Sequence, residues 1–519
     1  MVFASFALTP FLGANFFPSV DSGQITLHVR PPVGTRIEDA SAMFGQIERQ
    51  IRQTIPPQEL GSIVDSIGMP ISAVNMVYNN SGLIGYQDGD IFVTLKAGHH
   101  ATADYVRTLR KTLPAGFPGA TFSFPPADII SQILNFGSPA PLDVQVSGPN
   151  RVANQAYALE LLRRMRDIPG IADPRMQQSM DNPELRVDVD RARMAQYGLT
   201  ERDVTNSVST SLAGSSQSAP VFWLDPKSGV SYPVVAATPE YQADTLPALS
   251  NIPITGTTAN AGAQVLGGLG KISRDQSSAV VSHYDIQPVI DLYATTQDRD
   301  LGAVAHDIQT LIKQTAGHAP RGAVVTLRGQ ISTMNTAFIG LGLGLLGAIV
   351  LIYLLIVVNF QSWLDPFVII TALPAALAGI VWMLFLTHTT LSVPALTGAI
   401  MCMGVATANS ILVVSFARER LAATGDAVLA AAEAGLTRFR PVLMTALAMI
   451  IGMAPMALGL GEGGEQNAPL GRAVIGGLIF ATCATLMFVP AVFSLVHGRK
   501  AAQPSGSAAE PKPLGEAYA

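Results

Sequence analysis

The chain has 519 residues, of which 49% are hydrophobic and only 13% charged, with a formal net charge of -5. An ordinary soluble protein is about 25% charged, so this balance excludes a disordered chain and speaks against an all-soluble enzyme. It also offers no basic surface for nucleic acid. Two cysteines, Cys402 and Cys483, exclude a disulfide framework, and both lie in apolar runs unsuited to a thiolate metal site.

The opening MVFASFALTPFLG is apolar but lacks a basic flank and a cleavage site, so it does not read as a secretory signal. It is too short to cross a bilayer and reads as the outer end of a span whose inner part is missing. From there to about 332 the chain has ordinary charge density and strand-like and helix-like stretches in alternation. Gln24–Val29 alternates polar and apolar residues, PPVGT makes a turn, and 38–55 carries apolar residues at helical spacing. Asp90–Ala97 is a second strand and 103–113 a second helix. LDVQVSG, the helix 151–167 and PELRVDVD form a related unit, and VIDLYAT, 301–316 and GAVVTLRG repeat the order. Such β-α-β units predict α+β sandwiches of the ferredoxin-like kind. The intervening 191–271, rich in Ser, Thr, Gly and Ala, reads as an inserted hairpin-and-loop module.

Five long uncharged runs follow, at about 337–358, 367–386, 391–416, 442–460 and 473–496. Each meets the roughly 20 residues needed to cross a hydrocarbon core of about 30 Å, and none holds Asp, Glu, Lys or Arg in its interior. Within the bilayer, then, nothing here carries a proton. The link between the third and fourth runs holds Arg418, Arg420, Arg438 and Arg440, and Arg499 and Lys500 follow the fifth. The opposite links hold only Arg472. The positive-inside rule therefore places the Arg-rich link and the C-terminus in the cytoplasm and the αβ region outside.

Chemistry-bearing motifs are sparse. His99 and His100 are adjacent rather than at i, i+4, no HExxH occurs, and the external methionines Met43, Met69, Met76, Met165, Met176, Met180 and Met194 show no cluster; no metal site is expected. GxSxG and P-loop motifs are absent, so neither an enzyme nor an ATPase is read.

The stretches FFPSVDSGQ, GVATANSILVVSFARER, LTRFRPVLMTALAMIIGMAPMALG and GEGGEQNAPLGRAVIGGL, in this order around an external αβ region, carry a family resemblance. Over nearly its whole length the chain resembles the C-terminal half of a resistance-nodulation-division (RND) efflux permease of the hydrophobe/amphiphile, acriflavine-resistance-like type. The resemblance implies a multi-pass α-helical protein of the bacterial inner membrane with a large periplasmic α+β porter region and an inserted docking module. Residues 1–13 would be the remnant of span seven, 14–140 the first porter subdomain, 141–190 with 276–330 the second, and 191–275 the docking insertion. Residues 334–497 would supply spans eight to twelve and 498–519 a cytoplasmic tail. It also implies proton motive force instead of a cofactor, and a homotrimer in lipid exporting a small amphiphilic substrate. The partners would be the missing N-terminal half, a periplasmic adaptor (membrane fusion protein) and an outer-membrane channel, with no nucleic acid.

Site residues follow from the same resemblance. The Lys that many members carry on span ten falls here at Ala408, which cannot ionise, flanked by Thr407, Asn409 and Ser410. Thr445 matches a span-eleven Thr that contacts the proton relay, and Arg438 an Arg near the cytoplasmic entrance. The plainer alternatives are an interhelical contact for Asn409, a back-bond for Thr445 and a positive-inside anchor for Arg438. Asn75–Gly89 resembles a flexible loop bordering the drug path, with Tyr78, Tyr86 and Phe136 able to stack on an amphiphile. Gly340, Gly344, Gly347, Gly476 and Gly477 read as close-packing positions, and Asp365-Pro366 as a helix start. The alternatives are a heavy-metal-type RND exporter, which would need a methionine or carboxylate ladder that the sequence does not display, and a non-transporting membrane-anchored periplasmic assembly or sensor module.

Overall fold

A computed structural model describes residues 5–70, 82–135, 137–216, 218–257, 262–461 and 463–501. The first αβ subdomain runs β1 (Gln24–Arg30), α1 (Ile37–Thr54), β2 (Leu60–Ile67), β3 (Gly89–Leu95), α2 (Thr102–Gly116) and β4 (Thr121–Ser123). Its antiparallel sheet has the order β2-β3-β1-β4. Alternation along the strands sends Ile25, Leu27, Val29, Ile91 and Val93 to one face, where they pack on Phe44, Ile47 and Ile51 of α1 and Leu109 and Leu113 of α2. Gln24, Thr26, His28 and Arg30 point to the other face.

The second subdomain starts with β5 (Leu142–Ser147), α3 (Arg151–Met165) and β6 (Ile171–Met176). The chain then leaves it for a separate compact unit, 179–280. That unit holds β7 (Asn182–Val189), α4 (Glu201–Ala213), the hairpin β8 (Val221–Leu224) and β9 (Ser231–Val234), and β10 (Gly270–Ser277). Its core is Met194, Leu199, Val204, Leu249, Ile252, Ile254, Leu266 and Leu269. The strand PELRVDVD is β7, which pairs only with β10 in a two-stranded ribbon, so the expected edge of the insertion at 191 falls just past a strand that belongs to this unit. On return come β11 (Ser282–Tyr284), β12 (Gln287–Thr296), α5 (Leu301–Thr315) and β13 (Val324–Gly329). β12 pairs with β5, β6 and β11, and β13 with β5. The order β6-β12-β5-β13 repeats that of the first sheet, with the inserted unit between its second and third strands.

Five helices long and apolar enough to cross a membrane follow: α6 (Gln330–Phe360), α7 (Leu364–Leu386), α8 (Val393–Thr424), α9 (Ala427–Ala457) and the continuous segment Ala468–Gly498. The last comprises α10 (Ala468–Cys483), a π-helical turn (Ala484–Phe488) and α11, which continues to Ala501. α9 begins well before the expected 442, because its first turns are Ala-rich and Asp426 caps them by accepting from Val428 and Leu429 N–H. Asp365 does not cap α7. Ser362 Oγ accepts from the Leu364 and Asp365 N–H groups instead, at 3.3 and 3.5 Å. Gly476 lies against Gly379 so closely that a Cβ there would stand 2.2 Å from Met383 Cβ, whereas Gly340, Gly344 and Gly347 have no neighbour within 4 Å. The first pair are packing residues; the α6 glycines lie on an open face.

Candidate functional site

Two polar constellations stand out against apolar surroundings. The first lies inside the spans. Asn409 on α8 is buried, and Thr445 of α9 approaches it, Oγ1 lying 3.2 Å from Asn409 Oδ1. The same hydroxyl reaches the Val442 carbonyl at 2.9 Å, so its one proton serves one acceptor at a time. Ser410 Oγ meets Thr485 Oγ1 at 2.9 Å. Thr485 sits in the π-helical turn, a distortion frequent at functional sites, and nothing in the sequence marks it. Thr407 is spent on its own helix, donating to the Met403 carbonyl at 2.8 Å. Arg438 does not join this group; its guanidinium lies 4.9 Å over the Phe416 ring. The structure thus pairs Asn409 with Thr445 and Ser410 with Thr485, two polar contacts from adjacent residues of α8 to two other spans.

The second constellation runs from the polar face of one sheet to that of the other. His28 on β1 is buried and its Nδ1 lies 2.8 Å from Asp90 Oδ1. Its Nε2 has no hydrogen-bond partner among the described residues and stands 3.8 Å from Asp88 Oδ2. That oxygen accepts from Arg30 Nε at 3.0 Å and from Ile84 N–H at 3.1 Å, while Asp88 Oδ1 is buried without a partner. Arg30 then crosses to the second subdomain and donates to the Met176 and Gln177 carbonyls at 3.3 and 3.1 Å.

There the line continues through Arg175, 5.6 Å over the Tyr293 ring, to Asp143 and Asp291. Gln145 and Gln178 donate to Asp291 at 2.9 and 2.7 Å. Asp143 Oδ1 and two nitrogens of Arg175 are buried without partners. Burial, reinforced by the negative charge of Asp291, pushes the Asp143 carboxyl up to about 8. Burial likewise raises Asp291, against the pull of its two glutamine donors. It lowers Arg175 to about 10, with Arg30 pushing the same way against the opposing Asp173. Four buried carboxylates therefore face three arginines (Arg30, Arg175 and Arg328) and one histidine.

Nothing in the sequence marks this seam: His28, Arg30, Asp90, Asp143, Arg175 and Asp291 lie on strands at positions that read as solvent-facing, and Asp88 precedes β3 in a loop. Among the described residues, no group of three or more His, Cys, Asp or Glu is assembled to hold a metal ion; Arg30 occupies Asp88 instead. His100 is exposed and pairs with Glu59 at 2.6 Å. Tyr86 is 70% exposed, while Tyr78 and Phe136 lie outside the described residues.

A family model described as the AcrB/AcrD/AcrF family matches residues 1–497. The chain belongs to this family. The family is that of the RND permeases, which are transporters. The cobalt-zinc-cadmium resistance protein CzcA of Cupriavidus metallidurans is 27% identical over 499 residues, 95% of this chain and 46% of CzcA. The cation efflux system protein CusA of Escherichia coli is 26% identical over 392 residues, 73% of this chain and 37% of CusA. A crystal structure of a heavy metal efflux pump superposes with a TM-score of 0.80 at 25% identity, over 96% of this chain and 49% of that one. The chain thus spans about half the length of the curated relatives it matches. These relatives are named for metals and cations, so they do not support the amphiphile subclass expected from the sequence.

Proposed function

We propose that this chain is the C-terminal half of a proton-driven RND exporter whose cargo is a metal cation. The observation that carries the reading is the buried seam His28–Asp88–Asp90–Arg30–Arg175–Asp143–Asp291 between the two αβ subdomains. Buried carboxylates are costly unless paired. Here Asp88 Oδ1, Asp143 Oδ1 and His28 Nε2 are buried atoms with no partner among the described residues; they are oxygen and imidazole-nitrogen atoms of the kind a borderline or hard cation takes, spread along the seam and not gathered at one point. In this reading the seam serves as the carboxylate ladder a metal exporter would need. The names of CzcA, CusA and the superposed pump support the same class.

In this reading the αβ region lies in the periplasm and works as two porter subdomains, with the 179–280 unit as the docking insertion. The C-terminus is cytoplasmic. The Asn409–Thr445 pair adjoins the proton relay, whose carboxylates come from the other half of the permease. The complete pump is a homotrimer in the inner membrane, working with a periplasmic adaptor and an outer-membrane channel.

The test is made in cells lacking their own exporters, with the full permease and its partners expressed. Tolerance to cobalt, nickel, zinc, cadmium, copper and silver is scored beside efflux of a cationic dye. Asp88→Asn and Asp90→Asn, isosteric changes, are expected to abolish metal tolerance at unchanged protein level. Dye efflux without metal tolerance, or tolerance indifferent to both substitutions, would refute the proposal.

A further inference from the structure

At the Arg-rich end of the spans, where the end of α6 meets α8, the surface opens into a hollow of about 480 Å³ lined by Asn359, Phe360, Ser415, Arg418, Glu419 and Ala422. α6 stops here because Gln361 adopts a left-handed conformation, φ 50°, so its last carbonyls have no helical partner. Arg418 takes one of them, Nη1 donating to the Phe360 carbonyl at 2.7 Å. The same nitrogen lies 3.6 Å from Oδ2 of Asp365, which is buried in the first turn of α7 and stands 3.1 Å from His497 Nε2 of α11. Nearly half of the Arg418 side chain, 48%, is still exposed, and its Nε and Nη2 have no hydrogen-bond partner among the described residues. Glu419, the next residue of α8, is exposed and likewise has no partner among them.

A hollow of this make-up selects by charge pattern. It offers a guanidinium with free N–H groups, which suit phosphate oxygens. It also offers a carboxylate beside the negative end of the α6 dipole, which favours a cation. Asn359 and Ser415 add neutral donors and acceptors. An anion alone would meet Glu419 and a carbonyl-rich helix end, and a cation alone would meet Arg418; a phosphate and an ammonium joined in one headgroup satisfy both. One helical turn toward the middle of the spans, Leu355 lies four residues before Asn359 and Leu412 three before Ser415, on the same helix faces, and they are 69% and 42% exposed. Apolar surface therefore continues directly from the polar hollow. We propose that this hollow binds a phospholipid whose headgroup carries both a phosphate and a primary ammonium, the phosphate on Arg418, the ammonium on Glu419 and the acyl chains along Leu355 and Leu412.

The neighbouring arginines are engaged elsewhere. Arg420 pairs with Glu433 at 3.2 Å, and the guanidinium groups of Arg420 and Arg438 lie 5.5 and 4.9 Å from the Phe416 ring. A general attraction of basic residues for the membrane surface needs only positive charge and favours anionic lipid. Removing the Glu419 charge would strengthen that attraction, whereas it weakens a site that holds an ammonium. The two effects have opposite signs, and the exported cargo enters neither.

The full permease is placed in nanodiscs of phosphatidylcholine, whose quaternary nitrogen has no N–H to donate. A trace of phosphatidylethanolamine or of phosphatidylglycerol is added, each with a photoactivatable group near the start of one acyl chain, and the labelled peptides are mapped. Phosphatidylethanolamine should label 351–358 and 408–415, and phosphatidylglycerol should label them about three- to fivefold less, the range expected for one exposed ion pair. Glu419→Gln should erase that preference and Glu419→Lys should reverse it. Glu419 is exposed and unpaired among the described residues, so both variants should assemble normally, with labelling elsewhere on the spans as the reference. Soluble phosphorylethanolamine in excess should leave the labelling intact, because the acyl chains contribute to binding. Equal labelling by the two lipids in the native protein, or a preference that persists in Glu419→Lys, overturns the proposal. Labelling suppressed by the soluble headgroup also overturns it, and would assign the hollow to a free phosphorylated amine instead.

Discussion

Replacing Asp143 by Asn tests whether the seam holds a neutral carboxyl at physiological pH. The side chain sits on β5 with its Oδ1 buried and unpartnered, close to a second buried acid, Asp291. Moving its carboxyl from 3.8 to about 8 corresponds to roughly 6 kcal/mol of preference for the protonated form, at about 1.4 kcal/mol per pH unit. The sign follows from proton counting. Between these two values the folded state binds the proton and the unfolded chain does not, so stability is full below about pH 4 and falls as pH rises toward 8. Between pH 6 and pH 9 the loss amounts to roughly 2–3 kcal/mol. Asn is neutral throughout and close in shape, so it should remove most of that slope while leaving stability at low pH nearly unchanged. Thermal unfolding of the purified protein in detergent, followed from pH 6 to 9, measures this; the native chain should lose about 2–3 °C and Asp143→Asn much less. A native melting temperature that rises with pH, or parallel slopes for the two proteins, would show that Asp143 is ionised in the fold and that its charge is met by Arg328 or Arg175.

Two further expectations concern the spans. A double-mutant cycle with Asn409→Ala and Thr445→Val should give a coupling of about 0.6 kcal/mol, with roughly 1.7 as the ceiling for such contacts; zero coupling in unfolding measurements would mean that the 3.2 Å approach carries no energy. Gly476→Ala should destabilise by about 1–3 kcal/mol, because the added methyl would meet Met383 Cβ at 2.2 Å and the Gly379 carbonyl at 2.6 Å. Gly344→Ala, on an open face, should be neutral in the same assay, and equal costs for the two would contradict this packing.

What could be read from the sequence was whatever a periodicity or a solvent imposes locally. A bilayer demands about 20 apolar residues per span whatever lies around them, so five runs announced five helices. Strand and helix periods marked both αβ halves, since the same local rules that bury Leu27 and Val144 on one sheet face leave a two-residue rhythm in the chain. Asn409 and Thr445 were found through family position, and the structure brings them within 3.2 Å. What tertiary structure alone decided is where the opposite sheet faces go. His28, Asp90, Asp143 and Asp291 occupy positions that local alternation assigns to water, and only the crossing of Arg30 to the second subdomain shows that this side is also enclosed. Asp365 and His497 make the same point. They belong to the first turn of one span and the last of another, and a carboxylate at a helix start reads as a cap until packing of helix ends far apart in sequence closes a histidine over it.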